Sequence, residues 1–580
     1  MLTKNILSLK LIPLILFLLS NSFILSIQAQ EAPPNDGANG DNGGRGNGGR
    51  GNGDGGNGGR GNGDGGNGGR GNGGGGNRGV IINDLENAQQ NLQALINDLN
   101  LEPTTAEGLN LPSITDAKAQ LGKQLFFAKN LGGEQSAACV SCHHPMLGGG
   151  DNLSLPVGVS AVNFVEQSAH DLLGVGRFNG ISFLNLPSVP RNSPSIFNLG
   201  FNTRRLFWDG RVESRRNGAI STPDSTINDD GRRRPDNNLP QGATLAAAQA
   251  RFPVTSSTEM RGEFSQASDD QTLRSQLAER FTDSDGDFPS NWPAAFTVAY
   301  GDSNVSFDRI AESIGEYERS MVFVNNPWND YLQGNDDALT EEQKAGAVLF
   351  FTRRRDGGAG CVNCHRGDTF SRFGHQLTAY PQFGPGKGND SGTSTSNDFG
   401  RENVTNNTED RYHFRTPSLL NVALTAPYGH TGAYQTLNEV VSHYRDPRQA
   451  INRLFGEENG QVLSTGEEPF CQLPQVADLM IKNNQGCADL YPDAYANSIA
   501  AVTHLEQARN DEVPARFPLR RGANLSDEQV SRVVAFLHAL TDPCIESRDC
   551  LSPWIIDESN VASFPDDSAL IAEGENGGAL

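Results

Sequence analysis

Two pentapeptides, Cys139-Val-Ser-Cys142-His143 and Cys361-Val-Asn-Cys364-His365, repeat the pattern Cys-x-x-Cys-His within one chain of 580 residues. The spacing suits covalent haem attachment, because two thiols add to the haem vinyl groups and the next imidazole then serves as the proximal iron ligand. A structural zinc site would need four clustered ligands, and a thioredoxin-like pair would need a surrounding βαβ pattern. Neither is visible, so the sequence predicts two haem c groups with His143 and His365 as iron ligands.

A helical pattern precedes each pentapeptide. Residues 116–130 place apolar side chains on one face and end at Gly132-Gly133, while Leu339-Thr340-Glu341-Glu342 predicts the start of a second helix that ends before Gly357-Gly358. The recurring order of helix, glycine turn and motif predicts two related cytochrome-c-like haem domains. Because strand patterns are sparse, the expected fold class is all-α with long irregular loops at 218–250, 376–411 and 452–499.

The chain divides into five predicted segments. The first two are a signal peptide at 1–29 and a disordered Gly/Asn-rich linker at 30–80, which contains a repeated decapeptide at 51–60 and 61–70. An amphipathic helix over 81–99 then opens the ordered protein. An N-terminal haem domain is predicted at 81–337, a C-terminal haem domain at 338–548 and a tail at 549–580.

Composition indicates an exported protein. Lys4 and Lys10 precede an apolar run over 11–19 and small residues up to Ala29, a pattern that resembles a secretory signal. A retained anchor is the alternative, but the run is shorter than the roughly 20 residues of a spanning helix. We therefore expect a periplasmic or otherwise exported protein with no stable membrane span.

The four cysteines outside the motifs fit an oxidising compartment. Three pairings are open to them, and the local ones are favoured, Cys471 with Cys487 and Cys544 with Cys550. The net charge of −23 argues against nucleic acid and favours a basic or dipolar redox partner, with simple solubility as the alternative.

Further motifs resemble the bacterial dihaem cytochrome c peroxidase family, which includes the MauG proteins, over residues 110–548. The resemblance rests on Arg191-Asn192-Ser193-Pro194, Phe207-Trp208-Asp209-Gly210-Arg211, Glu259-Met260 and the run from Arg415 to Tyr428. It implies that peroxide reacts at the first haem and that the second haem receives or stores electrons. It also implies that Glu259 moves a proton between the peroxide oxygens and that Trp208 relays electrons between the haems. A solvated carboxylate and an ordinary core tryptophan are the alternatives.

The axial ligands implied by the resemblance separate the two haems. Many family members carry a second histidine sixteen residues after the proximal one, where this chain has Val159 next to Gly158. The first iron is therefore expected to be open without reductive activation. His144 should point elsewhere, and His170 is a weak substitute.

The second haem is expected to have a tyrosine ligand. Fourteen residues after His430, where the peroxidases have methionine and MauG has tyrosine, this chain has Tyr444. A phenolate-type oxygen favours the ferric state, so the second haem should have a lowered reduction potential. Met480 and His443 are the alternative ligands, and Thr431 in place of the common aspartate makes a catalytic role for His430 doubtful.

The resemblance also implies a calcium ion between the domains, held by the Asn192 side chain and the backbone carbonyls of Thr425 and Pro427. Oxygen ligands completed by water suit Ca²⁺, although structural packing would explain the same residues.

The sequence thus predicts a periplasmic peroxidase that reduces hydrogen peroxide with electrons from a small donor protein, either a cytochrome c or a cupredoxin. A MauG-like oxidase of a protein side chain or organic substrate is one alternative, and a non-catalytic dihaem electron carrier is another. A homodimer is left open.

Overall fold

The computed structural model describes residues 87–580, except 164–170, 183, 229–232, 283–290, 388–395, 459–460, 463–464, 521 and 576. The predicted signal peptide and Gly-rich linker, and His170, lie outside the described residues. The described α-helices are α1 (Ala88–Leu99), α2 (Ala117–Phe127), α3 (Leu245–Gln249), α4 (Asp270–Glu279), α5 (Trp292–Tyr300), α6 (Phe307–Arg319), α7 (Pro327–Leu332), α8 (Glu341–Phe351), α9 (Glu402–Thr405), α10 (Leu437–Arg445), α11 (Pro447–Leu454), α12 (Pro474–Asn483), α13 (Cys487–Leu490), α14 (Ala494–Arg509), α15 (Asp527–His538) and α16 (Arg548–Leu551).

Short strands supplement the helices, so the structure is helix-rich rather than purely helical. They are β1 (Ala161–Asn163), β2 (Arg177–Asn179), β3 (Arg205–Leu206), β4 (Val212–Ser214), β5 (Ile220–Ser221), β6 (His375–Leu377), β7 (His413–Arg415), β8 (Glu457–Glu458) and β9 (Gln461–Val462). They form antiparallel ladders β1-β2, β3-β4-β5, β6-β7 and β8-β9. Strands of two or three residues leave too little alternation for a sequence pattern to show.

Two helix pairs carry the motifs, and the pairs are built alike. Helix α2 packs against α6, and helix α8 packs against α15. A Cβ atom on Gly122 would lie 1.9 Å from the Ser313 carbonyl oxygen, and one on Gly346 would lie 1.8 Å from that of Arg532. Only glycine allows this approach of two helices in either pair. The predicted repeat of a helical unit before each motif is therefore visible in the packing.

The predicted helix starts are confirmed. Helix α8 begins with Thr340 as N-cap, whose hydroxyl accepts from the Gln343 amide while the Gln343 side chain accepts from the Thr340 amide. This capping box satisfies two amides that the first turn leaves without intrahelical partners. Helices α1 and α2 fall within the predicted segments 81–99 and 116–130.

The first described helix packs in the hydrophobic core of the second motif, and the C-terminal segment packs in that of the first. Leu92 of α1 is fully buried in the core that includes α8 and α15. Conversely, Leu551 and Leu570 near the C-terminus are buried with α2 and α6. The Leu570 amide also donates to the Phe127 carbonyl at 2.9 Å. The first described helix and the C-terminal segment therefore each complete the hydrophobic core beside the motif that is more distant in sequence.

The expectation of an irregular loop over 452–499 is wrong. Helices α12 and α13 and the start of α14 lie there, and Val476 and Leu479 are fully buried. The many Asn, Asp and Gly residues of this region obscured a helical apolar spacing that begins at Pro474, the first residue of α12.

Both favoured disulfides are present. Cys471 is bonded to Cys487, and Cys544 is bonded to Cys550, whereas the four motif cysteines are free thiols. Within the part of the chain that the structure covers, no helix combines the length and apolarity that a bilayer crossing requires.

Candidate redox centres

The first motif forms a tight loop directly after α2. Residues Cys139–Ser141 make one 3-10 turn, and the Nδ1 atom of His143 lies 3.1 Å from the Gly149 carbonyl oxygen. Donation from Nδ1 to a carbonyl fixes the ring and leaves Nε2 as the ligating atom. Burial lowers the pKa of His143 to about 4, so the imidazole is neutral, as iron ligation requires.

The second motif repeats this geometry. Residues Cys361–Asn363 form a 3-10 turn, and Nδ1 of His365 lies 2.9 Å from the Phe370 carbonyl oxygen. Burial lowers the pKa of His365 to about 4 as well. Both histidines are thus held with the same nitrogen available to a metal.

A serine that follows a proline, Pro194 or Pro417, supports each attachment loop. The Ser195 hydroxyl donates to the Gly148 carbonyl at 2.7 Å, and the Ser418 hydroxyl donates to the Thr369 carbonyl at 2.7 Å. In both cases the receiving residue immediately precedes the carbonyl that binds the histidine. The two haem loops therefore have matching supports around their ligands.

Two asparagines, one shortly after Ser195 and one shortly after Ser418, donate to the same backbone carbonyl. The side-chain amide of Asn198 donates to the Phe323 carbonyl at 3.0 Å, and that of Asn421 donates to the same oxygen at 2.9 Å. Both asparagines adopt left-handed φ values, +60° and +64°. Phe323 lies in the connection between α6 and α7. Its carbonyl therefore links the two segments that contain Ser195 and Ser418.

The residues of the second loop fit a haem c. Cys361, Cys364 and His365 line a cavity of about 1330 Å³, which exceeds the usual size of a small-molecule pocket. The two thiols are partly exposed and outside any disulfide, as thioether formation requires. The combination of free thiols, a neutral imidazole and adjoining space matches what covalent haem attachment needs.

Tyr444, at the end of α10, lines the same cavity as His365. Burial raises the pKa of Tyr444 to about 12, and the hydrogen bond that it accepts from the Tyr380 phenol opposes this rise. The two rings meet edge-on, with centroids 6.0 Å apart. The structure therefore brings a hydrogen-bonded phenol into the cavity, while its role as iron ligand stays a prediction.

The alternative ligands of the second centre are engaged elsewhere. Nδ1 of His443 lies 2.8 Å from the Tyr434 hydroxyl, and Nε2 lies 2.9 Å from the Thr378 carbonyl. With both ring nitrogens hydrogen-bonded, His443 has no free ligand atom. Met480 lies on α12 and is not among the residues that line the cavity.

Glu259 lies close to the first motif. A Cβ atom on Gly158 would be 2.3 Å from the Glu259 carbonyl oxygen, so the segment Gly158–Val159 packs directly on the backbone of Glu259. Burial, with the charges of Asp151 and Glu259 adding to it, raises the pKa of the Cys142 thiol. The structure thus places Glu259, Val159 and the first attachment loop together.

His144, which follows the predicted iron ligand His143, has contacts of its own in the core. Nδ1 of His144 accepts from the Met146 amide at 3.1 Å, and the buried ring packs edge-on against Phe127. His144 therefore contributes to the core beside α2.

Trp208 borders the large cavity and connects the two halves. Its indole N–H donates to the Asn192 carbonyl at 2.8 Å, and its own carbonyl accepts from the Arg415 amide at 2.7 Å. Arg415 belongs to the β6-β7 ladder near the second motif. A rigidly held indole at this junction is suited to electron relay, which stays a prediction.

Asn192, Thr425 and Pro427 all line this cavity. The Asn192 side-chain nitrogen donates to the carbonyls of Leu153 at 2.8 Å and Ser154 at 3.2 Å, which leaves its oxygen as the atom that a cation could use. The three predicted calcium ligands therefore border the same cavity, and their joint binding of an ion stays a prediction.

Sequence reasoning missed a buried ion network beside this wall. The Arg191 guanidinium contacts Asp398 through Nε at 2.6 Å and Nη2 at 2.8 Å, and contacts Asp209 through Nη1 at 2.6 Å. All three side chains are buried. Burial alone would raise the pKa of both carboxyl groups, but the Arg191 charge outweighs it. The pKa of Asp209 is therefore well below its usual range, and the pKa of Asp398 is lowered. Asp398 lies in an Asn- and Gly-rich stretch that gave no signal of burial.

The chain is similar in sequence to known dihaem proteins. A family model described as di-haem cytochrome c peroxidase matches residues 116–337. The chain is 31% identical over 329 residues to cytochrome c551 peroxidase of Pseudomonas aeruginosa, covering 57% of this chain and 72% of the relative. It is 26% identical over 342 residues to the methylamine utilization protein MauG of Methylophilus methylotrophus, covering 59% and 75%.

Solved structures of lower identity also align. A MauG-like protein associated with microbial copper homeostasis aligns with a TM-score of 0.45 and 20% identity, covering 78% of this chain and 96% of that protein. The diheme peroxidase BthA from Burkholderia thailandensis aligns with a TM-score of 0.43 and 19% identity, covering 73% and 86%.

Proposed function

Because this chain belongs to the di-haem cytochrome c peroxidase family, whose members are oxidoreductases, we propose that it reduces hydrogen peroxide to water at the first centre. Two electrons and two protons convert one peroxide molecule into two waters, and we propose that a small cytochrome c or cupredoxin supplies the electrons. The observation that carries this proposal is the packing of Gly158 on the Glu259 backbone, together with the effect of the Glu259 charge on the Cys142 thiol, which supports a position of that carboxylate near the first motif.

Haem c, when bound, supplies the iron at which peroxide is reduced. His143 holds its ring through the Gly149 carbonyl and presents Nε2 to that iron. Glu259 accepts a proton from one peroxide oxygen and returns it to the other, so that the departing oxygen leaves as water. Val159 is buried and carries no ligand atom, which keeps the position open for peroxide.

Electrons reach the first centre through the second. Tyr444 would hold the iron of the second haem through its phenol oxygen, and the Tyr380 phenol, which donates to that oxygen, would stabilise negative charge on it. Trp208 would relay electrons between the centres, and Asn192, Thr425 and Pro427 would hold a calcium ion that stiffens this junction. We also propose that the haem domains divide near residues 337–338 and that the protein acts after export.

A MauG-like oxidase is the second candidate function. An oxygen ligand such as Tyr444 favours higher oxidation states at the second centre, which would let the protein hold oxidising equivalents for a protein side chain or organic substrate. A pure electron carrier is less well supported, because Val159 offers no ligand to close the first iron.

The test is steady-state peroxide reduction by the holoprotein with a reduced small redox protein or hydroquinone as donor. Glu259→Gln should lower kcat/KM for peroxide by about 10²- to 10⁴-fold, the usual contribution of general acid–base catalysis. Glu263→Gln is the matched control, because Glu263 is an exposed carboxylate in the same segment. Equal activity of the two variants would exclude Glu259 as the acid–base group. Peroxide consumption that is negligible with every donor, together with a long-lived oxidised protein, would favour the MauG-like function.

A further inference from the structure

Arginine dominates the lining of the cavity beside the second motif. Nine of its lining residues are arginines, and among the described residues the carboxylate of Asp511 is the only acidic group in the lining. The chain as a whole has a net charge of −23. Positive charge is therefore concentrated around one cavity of an otherwise acidic protein.

Part of this charge has no internal partner. Arg355 and Arg445 pair with Asp356 and Asp527. In contrast, no described carboxylate lies within ion-pair distance of the group that we call the arginine rim, which comprises Arg353, Arg366, Arg372 and Arg520. Three of these four are exposed. A haem carries two propionates, so even complete pairing with them would leave two rim arginines available.

An exposed aromatic side chain lies beside the rim. Phe517 is 59% exposed and lines the same cavity, and the Arg372 guanidinium lies 5.3 Å from its ring centroid. Its φ of +47° falls in the left-handed region, which is strained for a bulky residue. The chain is fixed on both sides, since the Arg516 amide donates to Glu409 at 3.2 Å and the Leu519 amide donates to Leu377 at 2.8 Å. A strained backbone that holds an aromatic ring in solvent is typical of a binding surface.

We propose that Phe517 and the arginine rim form the docking surface for a small redox protein with an acidic face. This inference rests on the proposed function, because it names the donor of the same reaction. Each encounter transfers one electron from the reduced donor to the second centre, so two donor molecules are oxidised for each peroxide reduced. Local charge at the cavity opening directs the encounter, whereas distant acidic groups are screened at moderate salt. The partner is therefore acidic, although net charge alone favours a basic one.

The experiment compares two reduced donors in peroxide turnover, an acidic cytochrome c and a basic cytochrome c of similar potential. Hydroquinone serves as a neutral small donor that needs no docking surface. The variants are Arg353→Glu with Arg520→Glu, and Phe517→Ala. The matched control is Arg216→Glu, since Arg216 is exposed and lies outside the cavity lining. The midpoint potential of the second haem is measured in each variant, to separate docking from a change in driving force.

We expect the acidic donor to be preferred and its kcat/KM to fall with added salt. The double charge reversal should lower that kcat/KM at least about tenfold, and Phe517→Ala should raise KM about fivefold or more. Turnover with hydroquinone should fall far less than turnover with the acidic donor, after allowance for any measured shift in the midpoint potential of the second haem. A preference for the basic donor, or equal effects of the rim and Arg216 variants, would overturn the docking surface. Failure of every donor, hydroquinone included, would instead overturn the proposed function.

Discussion

The two motif regions share one scaffold and differ at the position that decides reactivity. Each has a helix pair closed by a glycine, a histidine held through Nδ1 and a serine that braces the loop. Beside the first motif the chain places Val159 and the Glu259 backbone, whereas in the cavity of the second it places Tyr444 hydrogen-bonded to Tyr380. A common fold can therefore support two different redox roles through a few side chains, because the ligand set of each iron controls access and potential.

Supplying a side-chain ligand at the first centre should remove the difference in peroxide reactivity between the two centres. Val159→His introduces an imidazole next to Gly158, sixteen residues after His143. We expect it to abolish the rapid reaction of the fully ferric protein with peroxide, because the iron becomes closed on both faces. Stopped-flow absorbance after peroxide addition measures the effect. Val159→Leu, which carries no ligand atom, is the control, and comparable loss in both variants would indicate damage to packing rather than ligation.

Removing one partner from the buried ion network should lower the free energy of unfolding. Asp398→Asn leaves part of the Arg191 charge without compensation, and the loss of one member of a buried pair costs about 3–5 kcal/mol. The free energy of unfolding of the holoprotein in guanidinium chloride measures it. Asp302→Asn removes an exposed partner of Arg309 and should change stability little. Similar effects of the two substitutions would mean that the buried network does not stabilise the junction.

Replacing the phenol should make the second centre resemble that of the peroxidases with methionine. Tyr444→Met should raise the midpoint potential of the second haem by on the order of 0.1 V, because a thioether supports the ferrous state. Spectroelectrochemical titration measures the potential of each haem. Tyr434→Phe is the control, because Tyr434 bonds to His443 rather than lining the cavity. An unchanged potential in Tyr444→Met would exclude Tyr444 as the ligand.

A buried carboxyl distinguishes the first helix pair from the second. Burial raises the pKa of Glu318, on α6, to about 8, whereas alignment of Ser313 with Arg532 puts Leu537 at the matching position of α15. Between about pH 4.5 and 8 the Glu318 carboxyl binds a proton in the folded protein and not in the unfolded chain, so its contribution to stability falls as pH rises through that range. Glu318→Gln should remove this contribution, about a few kcal/mol across the range, and leave those of other buried groups such as Asp151 and His144. Unfolding measured between pH 5 and 8 tests it, and an unchanged slope would contradict the assignment.

Short-range features could be predicted from the sequence. The attachment loops, the start of α8 and the two local disulfides each depend on residues close together in the chain, where spacing and capping chemistry act directly. Contacts between distant segments could not be predicted in this way. Arg191 and Asp398 are 207 residues apart, and nothing near Asp398 indicates that its side chain is buried.

The chain ends show the same limit. Residues 549–580 are predicted as a tail, yet Leu570 is fully buried and bonded to the residue at the end of α2. The apolar residues of this segment form short clusters at 554–556 and 569–572 without a sustained helical or strand period, so only the tertiary structure reveals that they complete a core. Similarly, the roles of Glu259 and Trp208 are predicted only from the family resemblance. Their contacts with Gly158 and Asn192 are visible only in the structure.

The most direct test of the two-centre account is electron paramagnetic resonance of the exported, fully ferric holoprotein, followed by titration with peroxide. One high-spin and one low-spin haem signal, with only the high-spin signal lost rapidly on peroxide addition, is the predicted result. Two low-spin signals that do not respond to peroxide would contradict an open first centre and leave an electron carrier as the better description.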